Sequence, residues 1–431
     1  MKSVAFYTLG CKVNQYETNA MEKLFSDAGY EIVPFDGFAD VYVINTCTVT
    51  SVGDKKSRQV LRRARGHNKN AVIAAVGCMA QTAPQKIKEL KIADVIIGTN
   101  KKNEIVKTVE EAAREKKTVS VVETLGKDIP FEAMVIDNFE DRERAYIKIQ
   151  EGCDRFCTYC IIPFARGAVR SAREDDIISQ AKTLSQKGFS EIVLTGIHVA
   201  SYGRGTDNTL HGLLQKISDI DGIKRIRLSS IDPVAFTDDF IETVSRLPKV
   251  CPHYHISLQS GSDIILKKMN RRYTSAEYME TLQRIRAKIT DVAITTDVIT
   301  GFPYETDEEF QKSLEFVKKA EFSGVHVFPY SEREGTAAAK FKESVPKSLR
   351  AERAHVMGEL AKELKSEFLK KYIGKKMPVL FEKKHRDNLF EGFTPNYMRV
   401  ACEADDSIVG KIAEVSLETT DGEMLFGTLI R

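Results

Sequence analysis

Residues 151–167 read EGCDRFCTYCIIPFARG and set Cys153, Cys157 and Cys160 in a C-x3-C-x2-C spacing. Three thiolates this close in sequence can wrap one small inorganic centre. A structural zinc site closes its tetrahedron with four protein ligands, whereas a site that must also bind a small molecule keeps a position open. Cubane iron-sulfur clusters are held by Cys thiolates, and a 4Fe-4S cluster on three of them leaves one iron free for a ligand. Cys157 and Cys160 by themselves would read as a redox C-x2-C or as half a zinc ribbon. Cys153 argues against both, no second C-x2-C completes a ribbon, and His198 is a solitary histidine.

The triplet directly follows a strand-like run, YIKI (146–149). Downstream, EIVLTG, RIRLSS, HISLQS, AITTDVITG and VHVFPYS alternate with helical runs such as DDIISQAKTLSQKG and SAEYMETLQRIRAK. Six such βα units predict an incomplete (β/α)6 barrel, whose functional groups gather at the C-terminal ends of the strands. The triplet sits at that end of the first one. Position at the same mouth singles out Thr195 and Gly196, Ser229 and Ser230, Gln259 and Ser260, Asp297, and the backbone-permissive Gly301.

Upstream, short apolar runs alternate with helical patterns through the first hundred residues: VAFYTL, VYVINT, VIAAVG and ADVIIG, separated by runs such as ETNAMEKLFSDAG and DKKSRQVLRRARG. This alternation predicts an open parallel sheet. Cys11, Cys47 and Cys78 each fall one to three residues after such a strand. Ligands of open α/β sheets bind at the carboxyl ends of strands, so these three thiols are expected to converge there. The stretch from Lys55 to Lys69 carries seven Lys or Arg and no acid. It reads either as a solvated face or as a phosphate contact near Cys47, with Asp54 as a helix N-cap.

GKDIPFEAMVIDNFEDRER (126–144) lacks periodicity and is expected to be a linker. Residues 346–372 predict a long amphipathic helix packing through Leu349, Val356, Leu360, Leu364 and Phe368, stopped by Gly374. Five short strands then close a small β-barrel, whose Phe381, Phe390, Phe393 and Tyr397 are candidates for stacking on bases or for its core. Cys251 and Cys402 have no spaced partners and are expected to be packing residues.

The chain has 431 residues, enough for two or three domains, and a net charge of +3 from 64 basic against 61 acidic residues. A nucleic-acid partner is therefore not advertised by overall charge and must be read locally. Eight Cys are too sparse for a disulfide scaffold. No stretch approaches the roughly 18 apolar residues of a membrane span. A cytoplasmic protein without a membrane partner is the expectation.

Taken together, these residues resemble the methylthiotransferase family of radical S-adenosylmethionine (SAM) enzymes, over essentially the whole chain. Tyr159, just before the last Cys of the triplet, belongs to that likeness. TLGCKVNQYET (8–18), VINTCTVT (43–50), HISLQSGSDIILKKMNRRYT (255–274) and HVFPYSEREGT (326–336) resemble the branch that modifies threonylcarbamoyladenosine at position 37 of tRNA. The isopentenyladenosine branch tends instead to open with a YGCQMN-like run, and the ribosomal-protein branch with LGCPKN. Tyr304, where Gly is frequent, and Ala337, where Pro is common, depart from the pattern.

The resemblance implies three parts: a methylthiotransferase domain over 1–115, a radical SAM domain over 139–370 and a TRAM β-barrel over 373–431. It implies two 4Fe-4S clusters, one on Cys153, Cys157 and Cys160 that binds SAM, and one on Cys11, Cys47 and Cys78. Tyr159, Gly196, Gln259 and Asp297 are the expected SAM contacts. A radical from reductively cleaved SAM would start replacement of the adenine C2 hydrogen by a methylthio group. The expected partner is tRNA carrying threonylcarbamoyladenosine in the anticodon loop; the sulfur source and electron donor are not identified by the sequence. An aromatic C–H offers neither an acidic proton nor a leaving group, so the chemistry must come from a cofactor. The rival readings are the same chemistry on isopentenyladenosine or a ribosomal-protein side chain, a non-enzymatic iron-sulfur RNA-binding protein, and a methylase without radical steps.

Overall fold

The structure is a computed structural model, and it describes residues 2–126, 128–134, 136 and 143–430. The first part contains β1 (Ser3–Thr8), α1 (Lys12–Asp27), β2 (Glu31–Ile32), β3 (Val41–Thr46), α2 (Ser51–His67), β4 (Val72–Gly77), α3 (Cys78–Thr82), α4 (Pro84–Glu89), β5 (Val95–Ile97), α5 (Ile105–Glu115) and β6 (Val119–Val121). Its strands form one parallel sheet in the order β2-β1-β3-β4-β5-β6. All six residues of β3 are buried, as the centre of a sheet covered on both faces requires. The flanking strands β2 and β6 are too short to show periodicity and were not expected from the sequence.

The middle part contains β7 (Arg144–Glu151), α6 (Ile162–Arg166), β8 (Arg170–Ser171), α7 (Glu174–Gln186), β9 (Glu191–Gly196), α8 (Leu210–Ser218), β10 (Arg225–Leu228), α9 (Asp238–Ser245), β11 (His253–His255), α10 (Asp263–Lys268), α11 (Ser275–Lys288), β12 (Ala293–Thr300), α12 (Asp307–Ala320) and β13 (Gly324–Pro329). A sheet β10-β9-β7-β8 and a sheet β11-β12-β13 are joined through the bridges Ile226–Val250 and Ile231–Ile256. The result is an open barrel of six parallel strands with antiparallel β8 at one edge. Helices α8 to α12 start on Thr209, Thr237, Ser262, Thr274 and Thr306, each accepting a backbone N–H of its first turn. Such a cap contributes about 1 kcal/mol. HISLQS enters the sheet earlier than its apolar run suggests, because β11 forms on the preceding His253–His255.

Helix α13 (Lys347–Lys370) packs along β13. Its buried side is offset from the expected stripe: Val356 is 43% exposed, whereas Arg350, Arg353, Met357, Ala361 and Leu364 are buried. The two arginines earn that position through hydrogen bonds: Arg350 donates to Val345 O and Tyr330 O, and Arg353 pairs with Glu305 and Asp307. Strands β14 (Lys376–Arg386), β15 (Leu389–Phe393), β16 (Arg399–Glu403), β17 (Ile412–Thr420) and β18 (Leu425–Leu429) close a barrel in the order β14-β15-β16-β18-β17.

The stretch expected to be a linker is only partly described, and 127, 135 and 137–142 lie outside the described residues. Two of its described residues, Met134 and Ile136, are buried, and Met134 O accepts the Tyr16 hydroxyl at 2.5 Å, while Gly126, Asp128, Pro130 and Ala133 are exposed. Among the described residues, no helix is long and apolar enough to cross a membrane.

Candidate active site

Cys11, Cys47 and Cys78 stand at the carboxyl ends of β1, β3 and β4, which adjoin in the sheet. The buried Asn14 amide ties two of these ends together by donating to Leu9 O (2.7 Å) and Thr46 O (3.1 Å). Gly10, at φ +102°, lets the turn before Cys11 pass the second thiol, since a Cβ there would lie 3.0 Å from Cys47 Sγ. Burial pushes the Cys78 thiol up to about 11, and Cys11 and Cys47 are near enough to act on it electrostatically. All eight cysteines are free thiols.

Arg166, which ends α6 and follows the central Cys run, reaches across into this group. Its Nε donates to Cys78 Sγ at 3.3 Å, and Nη2 donates to Asn14 Oδ1 at 2.5 Å. Nη1 pairs with Glu17 at 2.6 Å and with both Glu151 oxygens at 3.2 Å. Lys102 (3.2 Å) and Lys148 (3.4 Å) also face Glu17. Burial works to raise the Glu17 carboxyl, but Arg166, Lys102 and Lys148 outweigh it and hold it well below the usual carboxylate range. Three basic groups against two acidic ones leave positive charge facing the thiols. In the sequence Arg166 is marked only by its place six residues after Cys160, which does not reveal this contact.

In the second trio, Cys153 N donates to Gly167 O (3.0 Å) and Cys160 N to Cys157 O (2.9 Å), which coils the loop on itself. The turn depends on Gly152, at φ +73°, where an added Cβ would meet Ala168 O at 1.9 Å. Thr158 N bonds Met269 O, and Asn270 Nδ2 donates to Phe156 O, so the segment after α10 clamps the loop from outside. Arg271 repeats the part of Arg166: its Nη1 lies 3.5 Å from Cys157 Sγ and its Nη2 3.4 Å from Asp232. Burial pushes the Cys160 thiol up to about 12, and neighbouring Cys157 and Cys153 act in the same direction. Among the described residues no three His, Cys, Asp or Glu are grouped to hold one metal ion. Neither trio is packed for a single zinc, which needs its sulfurs about 2.3 Å from a common centre.

The four residues expected to contact a small molecule do not form one cluster of side chains. Tyr159 packs edge-on against Phe302, with ring centroids 6.4 Å apart, and burial raises its hydroxyl. Gly196 closes β9 against Gln150, where a Cβ would come within 3.0 Å of the Gln150 carbonyl oxygen. Gln259, at φ +72°, donates its backbone N–H to Asp297 O at 2.8 Å. The Asp297 carboxylate pairs with His255 Nε2 at 3.1 Å and lines a cavity of about 720 Å3.

Two expectations about RNA contacts change. Thr50, not Asp54, caps α2 by accepting from Gly53 N, and Asp54 instead pairs with Arg333 at 2.6 Å. Of the basic run, Arg65 is spent on Ile92 O, Ala71 O and Asp94, while Lys55, Lys56 and Arg62 are exposed. Phe381 and Phe390 are buried in the terminal barrel's core. Phe393 and Tyr397 stack on each other at 4.7 Å, and Tyr397 also meets the His253 ring at 4.7 Å and the Arg227 guanidinium at 4.6 Å. Phe381 and Phe390 thus fill the barrel's own core, whereas Phe393 and Tyr397 offer apolar area that the two packed parts bury between them.

Comparison with known proteins reaches both trios. The model of the radical SAM superfamily matches residues 147–317, and that of the uncharacterized protein family UPF0004 matches residues 3–98. The threonylcarbamoyladenosine tRNA methylthiotransferase MtaB of Bacillus subtilis is 43% identical over 97% of this chain and 94% of its own length. Its namesake from Aquifex aeolicus is 41% identical over 96% of this chain and 99% of its own. The chain belongs to the radical SAM methylthiotransferase family. A second group of relatives includes the tRNA-2-methylthio-N6-dimethylallyladenosine synthase of Staphylococcus saprophyticus, 34% identical over 100% of this chain and 85% of its own. Among solved structures, the radical S-adenosylmethionine methyltransferase TsrM of Kitasatospora setae matches with a TM-score of 0.57 at 13% identity, over 84% of this chain and 89% of that one. That likeness is one of fold. As a radical SAM methylthiotransferase, the protein carries the expected open parallel sheet, incomplete barrel and closed terminal barrel.

Proposed function

We propose that this enzyme methylthiolates C2 of N6-threonylcarbamoyladenosine at position 37, in the anticodon loop of tRNA. In this reading Cys153, Cys157 and Cys160 hold one 4Fe-4S cluster, and Cys11, Cys47 and Cys78 hold a second. The donor chemistry supports both: six free thiols in two separate trios, one touched by the buried Arg166 and the other by the half-buried Arg271. A cubane on three thiolates carries net negative charge, and the positive excess around Arg166 is the counter-charge it needs. A bound cluster also resolves the raised thiols, because a coordinating thiol is deprotonated outright. When bound, one cluster would pass on the electron that opens SAM and the other would present the sulfur to be transferred, while the electron donor and sulfur source stay unassigned.

The chain's own residues orient and exclude. Arg166 and Arg271 hold one sulfur of each trio in place, and Asp232 with Tyr273 fixes the Arg271 guanidinium. Tyr159, Gly196, Gln259 and Asp297 are the proposed SAM contacts, with Gly196 and Gln259 acting through backbone at the strand ends. The cavity beside Asp297 receives side chains from all three parts, a shape suited to enclosing a base drawn out of its loop. The reaction is placed in the cytoplasm, where a reducing environment keeps such thiols free.

The observation that carries the substrate assignment is 43% identity over nearly the full length to a threonylcarbamoyladenosine enzyme, against 34% to the dimethylallyladenosine group. Nucleoside mass spectrometry of tRNA from a strain lacking this protein tests it. Loss of the 2-methylthio mark from threonylcarbamoyladenosine is expected; loss from the isopentenyl nucleoside alone would reassign the substrate.

A further inference from the structure

The cavity of about 720 Å3 beside Asp297 is bounded by Lys12 from α1, by Ser229 and Ser230 after β10, by β11 to β13, by α13, and by Tyr397 and Glu423 of the terminal barrel. Lys12 follows Cys11 in the chain, and Ser230 leads into Asp232, whose carboxylate meets the Arg271 that donates to Cys157. Its walls carry three ammonium groups, Lys12, Lys362 and Lys365, and two carboxylates, Asp297 and Glu423.

Most of that charge is already matched. Lys365 pairs with Glu423 at 2.5 Å, Lys362 with Glu359 at 2.8 Å, and Asp297 with His255 at 3.1 Å. Lys12 makes no salt bridge among the described residues; burial works against its charged form, Tyr397 favours it, and Arg144 and Arg227 oppose the weaker pull of Glu191. The cavity therefore presents one solvent-accessible ammonium without a counter-ion, next to a cluster-binding cysteine.

We infer that Lys12 binds the carboxylate of the N6-threonylcarbamoyl group and so selects an acid-bearing N6 substituent over an apolar one. This rests on the function proposed above. C2 and C6, the carbon that bears N6, flank N1 in the six-membered ring of adenine, so a base bound with C2 at the reacting centre holds its N6 substituent close by, within reach of the same cavity's walls. An ammonium–carboxylate contact is charge-assisted and is screened less inside a cavity than on open surface.

The test uses cluster-loaded enzyme and three synthetic anticodon stem-loops, carrying threonylcarbamoyladenosine, its methyl ester, or plain adenosine. The wild type should bind the acid about 10- to 100-fold more tightly than the ester, the span expected of one hydrogen bond to a charged group. Lys12→Gln should bind acid and ester alike and bind the plain loop as the wild type does, while Lys12→Arg keeps part of the preference. Equal binding of acid and ester by the wild type overturns the inference, and that comparison needs no variant to fold. A full preference surviving in Lys12→Gln, or a uniform loss across all three RNAs, overturns it as well. The substrate assignment fails separately, if wild-type enzyme with SAM and reductant leaves threonylcarbamoyladenosine without a methylthio group.

Discussion

Arg166→Gln removes the one side chain that touches Cys78, Asn14, Glu17 and Glu151 together. Breaking a buried ion pair by deleting one partner costs about 3–5 kcal/mol, because the other charge is left without compensation. Here the compensation is partial: Glu17 keeps Lys102 at 3.2 Å and Lys148 at 3.4 Å, and Glu151 keeps Lys148 at 3.1 Å. The expected loss is therefore at the lower end, about 3 kcal/mol, a factor of roughly 150 in the local opening constant. Hydrogen exchange at the amides of α1 and β7 reads this local free energy even where a three-part chain does not unfold in one step. Adding Glu17→Gln should cost less than the sum of the two single changes, with a coupling of about 2 kcal/mol. In cluster-loaded protein, loss of an N–H···S bond and its charge should lower the reduction potential of the cluster on Cys11, Cys47 and Cys78, read by redox titration. Additivity within about 0.5 kcal/mol, together with an unchanged potential, would refute the view that Arg166 ties Cys78 into one buried ion network with Glu17.

Gly152→Ala drives a Cβ to within 1.9 Å of Ala168 O at a positive φ, so the loop bearing Cys153 must move; iron per chain should fall from about eight to about four, with no 5'-deoxyadenosine formed from SAM and dithionite. Burial works to raise Asp232, but the His198 hydrogen bond and Arg271 hold it at about 2. A carboxyl depressed from its unfolded value near 3.9 contributes stability that is present above that pH and lost as pH falls toward the folded value, about 2 kcal/mol in all. Acid unfolding of wild type should be steeper than that of Asp232→Asn over this window, and parallel curves would discount the network. Tyr397→Ala deletes a ring held by Phe393, His253 and Arg227; a cost of about 3 kcal/mol should appear as earlier proteolytic release of residues 376–429, and unchanged resistance would place the docking energy elsewhere.

The placing of cysteines after β1, β3, β4 and β7 was readable from residue order, because strand periodicity and ligand spacing are both local properties of a chain. Edges read less well. β2 and β6 are too short to carry a period, and the buried side of α13 runs through Arg350 and Arg353, which hydropathy assigns to solvent. Hydropathy cannot see that Tyr330 O, Val345 O and Glu305 wait to receive those guanidinium groups. The aromatic residues of the terminal barrel were open to two uses, and only the dock against β10 and β11 decided for packing.

Residue order by itself determined the chemistry on offer: two sets of three thiols, an α/β framework to carry them, and a likeness extending along the whole chain. Tertiary structure alone decided which buried charges stand beside each set. Glu17 and Arg166 are separated by 149 positions yet share a proton-donating contact, and Asn14 meets Arg166 across 152. Such pairings are set by where separately folded layers touch, where water is excluded and a buried charge must find its opposite. No periodicity along the chain encodes that requirement. It emerges only once the sheet of the first part is laid against the mouth of the barrel.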